Sequence, residues 1–487
     1  MNIPWYLSCE PREVQLEALR RSYGQQGFCF FMEMRLGKSS TVLNEFLMLY
    51  ERGVVDRMLV FAPNKFKAGW KAEASKFNMI GAAPCPMREH DWWVLESKDV
   101  NTNAFQFWLR TSDRKTDRPC IISTNYEATR SDKALEALDM FVSKGSTMLV
   151  LDESAMIKNN KSIAFKKTLE ISKKCPVVRC LSGLPAPNAP YDLWTQLRTA
   201  KQLNGFNFYA FKYTFTKFGG WKNKQAKGVQ NEDKLNEILD KCAFRALRKD
   251  WNMEKDLDYE QVEVDMTPKQ TKAYRDMQDE FVVWLNDQDV VSVDTVLSKH
   301  MKLQQISSGF IYNEHGAAQP LIPIYMVPKY IDLIDRIDNY IPGKVLIIAH
   351  YKHTMNELEY ALRGHLMEKE LDLAVISSNK GFETEFEKFK FNANEYCKVM
   401  LAQSSAVKYG HTLMGTTDNP CLSVCFYENT YSLDTREQCE QRPQGAGQGG
   451  TIHIWDYYSS PIEKKIVTAL QGKKKVSEVI MGEYERG

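Results

Sequence analysis

The sequence of 487 residues predicts an α/β fold with two doubly wound lobes, each a parallel sheet covered by helices on both faces. Short apolar, β-branched runs alternate with amphipathic stretches up to about residue 200, and the same alternation returns from Lys329 onward. The length suits about three units of ~150 residues. We therefore expect lobes at 1–205 and 328–487, with a helical insertion and linker at 206–327.

The predicted elements follow one another in the order that this fold requires. The strand candidates of the first lobe are FCFFMEM, RMLVFAP, CIISTNY, TMLVLDES and VVRCLSG. Stretches such as KSSTVLNEFLMLYERG have apolar residues at helical spacing and a closing Gly. The insertion contains a helical pattern, PKQTKAYRDMQDEFVVWL, and a Gly- and Pro-containing loop, NEHGAAQPLIPI. The second lobe offers KVLIIAHY, LDLAVISS, KVMLAQSS, CLSVCFYEN and IHIWDYY as strands.

Composition excludes several classes of protein. No apolar run approaches the ~18 residues of a membrane span, and the start of the chain lacks the pattern of a secretory signal. The eleven cysteines include no CxxC pair, which favours free thiols in a reducing compartment. A net charge of 64 − 62 = +2 does not indicate a nucleic-acid partner by itself. We expect a cytoplasmic protein without a membrane.

A phosphate-binding loop is the interpretation of FFMEMRLGKSS between a predicted strand and a predicted helix. Gly37 would let the backbone turn around phosphate oxygens, and Lys38 would reach the β- and γ-phosphates. The Ser39 hydroxyl would ligate Mg²⁺. Because GKS also occurs at ordinary helix starts, a plain helix N-cap stays an alternative for this segment alone.

Adjacent carboxylates end the apolar run TMLVLDES, at the expected exit of a parallel strand. Asp152 and Glu153 repel each other unless a cation or a proton compensates. Mg²⁺ held through Asp152, with Glu153 orienting the attacking water, would resolve that conflict. A solvated strand end is the alternative.

The ordered motifs resemble those of superfamily 2 helicases, specifically the Swi/Snf-type double-stranded DNA translocases, and the compact chain is similar to small phage or bacterial members. The motifs that carry the resemblance are VQLEAL, MRLGKSS, VFAPNKFKAGW, ISTNYEA, LDESAMIKN, LSGLPAPNAPYDLW, KVLIIAHY, AVKYGHTL and REQCEQRPQGAGQ.

The resemblance implies two RecA-like lobes that use ATP and Mg²⁺. The residues implied to carry hydrolysis are Lys38, Asp152, Glu153 and Arg442, with Ser39 and Asp152 as ligands of Mg²⁺. The residues implied to bind the nucleotide are Gln15 at the adenine, then Gly37, Lys38, Ser39, Ser40, Gly410 and Gln438. The residues expected to contact the DNA backbone are Lys65, Thr124, Asn125, Tyr351, Lys352 and Ser404.

One departure from the family pattern concerns hydrolysis directly. The sixth motif of the family reads QxxxRxxRxGQ, and Gly445 stands where its second arginine would face the γ-phosphate. Loss of such an arginine costs several orders of magnitude in phosphoryl transfer. A slow or regulated ATPase, an introduced substitution, and replacement by another cation such as Arg436 remain three open explanations.

The expected function is an ATP-dependent motor on double-stranded or branched DNA, with replication or recombination proteins as further candidate partners. A monomer in the cytoplasm, or in the host cytoplasm if the source is viral, fits this expectation. The alternative is an ATP-responsive DNA-binding protein with weak or regulated hydrolysis. A small-molecule kinase would have no second lobe.

A stretch without Asp or Glu, from Lys201 to Asn231, places lysines among aromatic residues. Such a pattern is found in nucleic-acid-binding surfaces, where lysines contact phosphates and rings stack. The same pattern also builds the core of a small helical subdomain with a lysine-rich solvated face, and we favour that second interpretation.

Overall fold

The computed structural model describes residues 3–64, 66–79, 88, 91–112, 118–203, 205–219, 225–251, 253, 256–286, 293–313, 315–378, 383–407, 412–444 and 450–481. The chain divides into two compact units. The first comprises Met1–Glu254 with Gly472–Gly487, and the second comprises Lys255–Gln471. The expected two-lobed α/β fold is therefore confirmed. The division of the sequence into 1–205, 206–327 and 328–487 stays a prediction.

The first unit is a seven-stranded parallel sheet with helices on both faces. Its elements are α1 (Glu13–Ser22), β1 (Gly27–Met32), α2 (Lys38–Glu51), β2 (Arg57–Ala62), α3 (Lys67–Lys76), β3 (Trp92–Val94), α4 (Asn103–Thr111), β4 (Cys120–Asn125), α5 (Asp132–Ser143), β5 (Thr147–Leu151), α6 (Ile163–Lys174), β6 (Val177–Ser182), α7 (Leu193–Thr199), α8 (Phe208–Phe215), β7 (Thr216–Gly219), β8 (Gln225–Val229), α9 (Glu232–Cys242) and β9 (Ala243–Ala246).

The strand order is β3-β4-β2-β5-β6-β1-β9, and every pair of neighbours is parallel. Alternate residues of each strand enter different cores: Phe31 and Phe61 belong to one cluster, and Phe30 and Val60 belong to the other. Because both faces are covered, the strands read as continuous apolar runs rather than alternating ones. The hairpin β7–β8 forms a separate antiparallel ribbon.

The second unit is built on the same plan. Its elements are β10 (Leu257–Glu263), α10 (Pro268–Asn286), α11 (Val293–Ser307), β11 (Phe310–Tyr312), β12 (Ala318–Pro320), α12 (Pro328–Asn339), β13 (Lys344–Ala349), α13 (Lys352–Met367), β14 (Asp372–Ile376), α14 (Glu383–Ala393), β15 (Cys397–Gln403), α15 (Ser404–Val407), β16 (Cys421–Phe426), α16 (Leu433–Glu440), β17 (Ile452–Tyr458) and α17 (Pro461–Met481).

Its six strands follow the order β10-β17-β16-β13-β15-β14, again with parallel pairing throughout. Ile347 and Leu401 enter one core, and Ile348 and Met400 enter the other. The segment NEHGAAQPLIPI, predicted as a linker loop, contains the turn and second strand of the antiparallel hairpin β11–β12. No described helix is long and apolar enough to cross a membrane. Within the described ranges all ten cysteines are free.

Candidate functional site

The loop between β1 and α2 has a backbone that only glycine accommodates at one position. Gly37 caps α2 in the left-handed region, with φ of 86°. A Cβ atom at Gly37 would lie 2.5 Å from Gln15 Nε2 and 3.2 Å from Ser40 Oγ. Gly37 therefore combines a positive φ with a close approach to the Gln15 carboxamide, which would have to move to make room for a side chain.

Gln15 holds this loop against α1. Its Nε2 donates to Ser40 Oγ (2.8 Å) and to the Gly37 carbonyl (3.2 Å). Its Oε1 accepts from the Arg12 amide (2.9 Å). Gln15 and Ser40 are thus brought together with Gly37 as expected for one site. The contact of Gln15 with adenine stays a prediction, since in this arrangement its carboxamide is engaged by the protein.

Lys38 lies inside the first unit, next to the carboxylates at the end of β5. Its Nζ donates to the carbonyls of Met32 (2.8 Å) and Glu33 (3.3 Å). Burial lowers the pKa of Lys38, and the charges of Glu153 and Asp152 partly offset that effect. A Cβ added to Gly183 would lie 3.6 Å from the same Nζ, so the end of β6 also lies beside this amine.

Glu33 fastens the loop to the backbone after β9, the edge strand that pairs with β1. Its carboxylate accepts from the Arg248 amide (2.8 Å) and Nε (2.9 Å), and its own amide donates to the Ala246 carbonyl (2.9 Å). The Arg248 side chain is 7% exposed, so little water screens the pair. The sequence analysis did not identify Glu33 or Arg248, because the two residues are 215 positions apart in the sequence.

Asp152 and Glu153 follow β5 at the expected edge of the sheet. The Asp152 carboxylate accepts from Trp70 Nε1 (2.9 Å) and from the Glu153 amide (3.0 Å). Glu153 adopts a left-handed backbone with φ of 48°, which turns the chain sharply after the strand. Burial raises the pKa of Asp152, and the Trp70 hydrogen bond and the Lys38 charge counteract the rise.

Ser39 contacts a carboxylate that the sequence analysis missed. Burial, the larger effect, and the charge of Asp152 raise the pKa of Glu73, whereas the neighbouring Ser39 hydroxyl lowers it. Together, Lys38, Asp152, Glu153 and Glu73 carry a formal charge of 1 − 3 = −2 when ionised. Within the described part of the chain no three His, Cys, Asp or Glu side chains lie close enough to hold a metal ion together, so a divalent cation at Ser39 and Asp152 would take further oxygen ligands from a bound anion.

Two predicted residues of the second unit lie on and just after α16. Gln438 Nε2 donates to Asp434 Oδ1 (2.6 Å), and Arg442 Nε donates to the Gln438 carbonyl (2.5 Å). Both side chains are largely buried. Gly410 and Gly445 lie outside the described residues, so the structure says nothing of either position.

Arg436 is engaged elsewhere. It pairs with Glu440 and Asp456, donates to Asn429 Oδ1 (2.7 Å), and lies 3.6 Å from the centroid of the Phe426 ring. Burial alone would lower its pKa, but the two carboxylates raise it overall. Release of this guanidinium would leave buried charges unpaired, which speaks against Arg436 as a substitute for the missing arginine.

The residues expected at DNA divide into buried and exposed ones. Thr124 is fully buried, and Asn125 uses its side chain to cap the next turn and to reach Asn64 Oδ1 (2.9 Å). Tyr351 is 6% exposed and donates to Gln304 Oε1 (3.0 Å). Lys352 is exposed, while Lys65 lies outside the described residues. The contacts of these residues with DNA stay predictions. The buried side chains would influence DNA binding only through the shape of their loops.

A cavity of about 450 Å³ in the second unit brings Tyr351 and Ser404 together. Ser404 Oγ lies 3.1 Å from His350 Nδ1. The remaining lining is rich in hydroxyl and imidazole groups, including His300, Ser405, Thr430, Ser432 and Thr435. Burial lowers the pKa of both His300 and His350, which favours their neutral forms.

The aromatic residues of the acid-free stretch divide between the core of the first unit and its surface, where Tyr209 and Tyr213 are exposed. Phe211 and Phe215 are completely buried. Lys212 Nζ lies 5.1 Å from the Tyr191 ring centroid and 5.4 Å from that of Phe218. Lys217 and Lys227 are exposed on the hairpin. Trp221, Lys222 and Lys224 fall outside the described ranges.

A family model matches the larger part of the sequence. The model of the SNF2-related domain matches residues 5–309. Since this match covers more than half of the sequence, the chain belongs to the SNF2-related family, and the family predicted from the motifs is confirmed.

A curated relative comes from Caenorhabditis elegans and is named a SWI/SNF-related matrix-associated actin-dependent regulator of chromatin subfamily A-like protein 1 homolog. It is 27% identical over 430 residues, which are 87% of this chain and 54% of the relative. The chain thus spans about half the length of that protein.

Two solved structures from Sulfolobus solfataricus are also similar. A SWI2/SNF2 ATPase core in complex with dsDNA matches with 19% identity and a TM-score of 0.41, over 99% of this chain and 96% of that one. A SWI2/SNF2 ATPase core domain matches with 19% identity and a TM-score of 0.42, over 97% and 90% of the two chains.

Proposed function

We propose that this protein is an ATP-dependent motor that acts on double-stranded DNA. The observation that carries the proposal is the gathering of Lys38, Ser39, Asp152 and Glu153 at one edge of the first sheet, in a member of the SNF2-related family. An amine beside a loop at a helix start, with two strand-end carboxylates nearby, is the chemistry that triphosphate binding and hydrolysis require.

The proposed roles follow from the contacts in the first unit. Lys38, which donates to loop carbonyls, would move a short distance to donate to phosphate oxygens, while the amides after Gly37 would add further donors. Ser39 and Asp152 would hold Mg²⁺, which when bound neutralises charge on the phosphates. Glu153 would orient the attacking water. The roles of Gln438, Arg442 and Gly410 in binding the nucleotide stay predictions from the motif series.

The proposed partner is the backbone of duplex or branched DNA, gripped without reading its bases. Family membership and the motif series support this partner, and exposed Lys352 is a suitable phosphate contact. Replication or recombination proteins as further partners, a monomeric state and a cytoplasmic location remain proposals of the same kind.

The test is ATP turnover with duplex, branched and single-stranded DNA at one fixed salt concentration. We expect duplex or branched DNA to stimulate turnover above the rate without DNA, and Lys38→Ala to abolish it. Lys133→Ala, an exposed lysine of α5, is the matched control and should turn over normally. DNA binding without any stimulation would reject the motor and leave the ATP-responsive DNA-binding protein. Unchanged turnover in Lys38→Ala would remove Lys38 from the site.

A further inference from the structure

Helix α3 presents two side chains to the predicted magnesium ligands. Trp70 and Glu73 are three residues apart and therefore lie on one face of the helix. Trp70 Nε1 donates to Asp152 Oδ2 (2.9 Å), and the Glu73 carboxylate lies near the Ser39 hydroxyl. One helix face thus contacts both residues expected to ligate Mg²⁺, although these come from α2 and from the end of β5.

Neither contact is a general requirement of packing. Trp70 is 2% exposed in an apolar core, yet its indole N–H donates to the half-buried carboxylate of Asp152. Glu73 brings a third carboxylate near Asp152 and Glu153, and like charges that share a site repel each other unless a cation or a proton compensates.

We infer that Trp70 and Glu73 are positioning residues of the magnesium–nucleotide site, which orient the Asp152 carboxylate and the Ser39 hydroxyl toward the metal. The inference rests on the proposed nucleotide site. Trp70 fixes one carboxylate oxygen of Asp152 and leaves the other free of the indole. Glu73 fixes the rotamer of the Ser39 hydroxyl and adds negative charge that favours a divalent cation. Groups that orient metal ligands typically change metal affinity by about 10- to 100-fold when removed.

The experiment measures binding of ADP to the full chain, once with MgCl₂ and once with EDTA, so that hydrolysis plays no part. The ratio of the two dissociation constants gives the magnesium enhancement. Glu73→Ala and Trp70→Phe should each reduce this enhancement by about 10-fold or more, with ADP affinity in EDTA changed less than about 2-fold. Glu73→Gln keeps an acceptor for Ser39 and should lie between Glu73→Ala and the parent protein.

Glu136→Gln on the exposed face of α5 is the matched control for loss of a carboxylate and should bind as the parent protein does. Full magnesium enhancement in both Glu73→Ala and Trp70→Phe would overturn the inference. Equal loss of ADP affinity in MgCl₂ and in EDTA would also overturn it, since that outcome indicates a general structural role. Absence of any magnesium enhancement in the parent protein would reject the nucleotide site itself, together with this inference.

Discussion

Replacement of Gly37 by alanine tests the geometry of the phosphate loop directly. An alanine held in the left-handed region costs ~1–2 kcal/mol. Its Cβ would also approach Gln15 Nε2 to 2.5 Å, so the carboxamide must leave Gly37 and Ser40. Loss of those two hydrogen bonds adds ~1 kcal/mol each. We therefore expect Gly37→Ala to lower the free energy of unfolding of the first unit by about 3 kcal/mol.

Gly53, two residues beyond the end of α2, provides a matched control. It has a similar φ of 66°, but a Cβ there would meet nothing within 4 Å. Gly53→Ala should thus cost only the backbone contribution of ~1–2 kcal/mol. The difference between the two variants isolates the contact with Gln15.

Urea unfolding followed by circular dichroism and tryptophan fluorescence measures these changes. In the background of Gln15→Ala the substitution Gly37→Ala should cost about 2 kcal/mol less, because the two hydrogen bonds of the carboxamide are already absent. Equal losses for Gly37→Ala and Gly53→Ala, together with additive effects of Gln15→Ala and Gly37→Ala, would show that the close approach at Gly37 is wrong.

Three further predictions concern the second unit. Lys329 and Glu463 form a buried ion pair (2.8 Å), so Lys329→Met should lower the free energy of unfolding in urea by ~3–5 kcal/mol. The control Lys388→Met, in the exposed pair with Glu385, should lower it by under ~1 kcal/mol. Equal losses for the two variants would contradict this prediction. Burial lowers the pKa of His350 below its unfolded value, so the unfolded chain binds the proton first and stability should fall as pH drops through about 6.5. His350→Asn should reduce this loss of stability between pH 7.5 and 5.5. An unchanged slope of stability against pH would show that other groups cause the loss. Gly445→Arg should raise ATP turnover, and an unmoved rate would refute the alignment of the sixth motif.

The fold was predictable because its evidence is local. Continuous apolar strands such as FCFFMEM and KVLIIAHY can be covered only in a sheet with helices on both faces, and the structure places them as β1 and β13 in parallel sheets. The loop at Gly37 and the carboxylates at Asp152 and Glu153 also follow from single segments, since each stands at the end of one strand.

The parts that the sequence did not predict depend on contacts between distant segments. Glu33 and Arg248, or Trp70 and Asp152, become neighbours only when the sheet forms. Short polar residues in loops were also ambiguous, because Thr124 and Asn125 serve internal hydrogen bonds in the structure. Residue type alone does not distinguish a side chain that shapes a loop from one that contacts a ligand.

The anchoring of Glu33 has a consequence for the path of the chain. Arg248 follows the edge strand β9, and the first unit ends at Glu254, only a few residues later. The loop that contains Gly37 is therefore fastened to the stretch of backbone that leads into the second unit. A displacement of Glu33 would also displace Arg248 and its backbone, because the guanidinium binds the Glu33 carboxylate. Arg248→Lys keeps the positive charge but loses the paired guanidinium donors. It would therefore weaken the link between the Gly37 loop and this backbone.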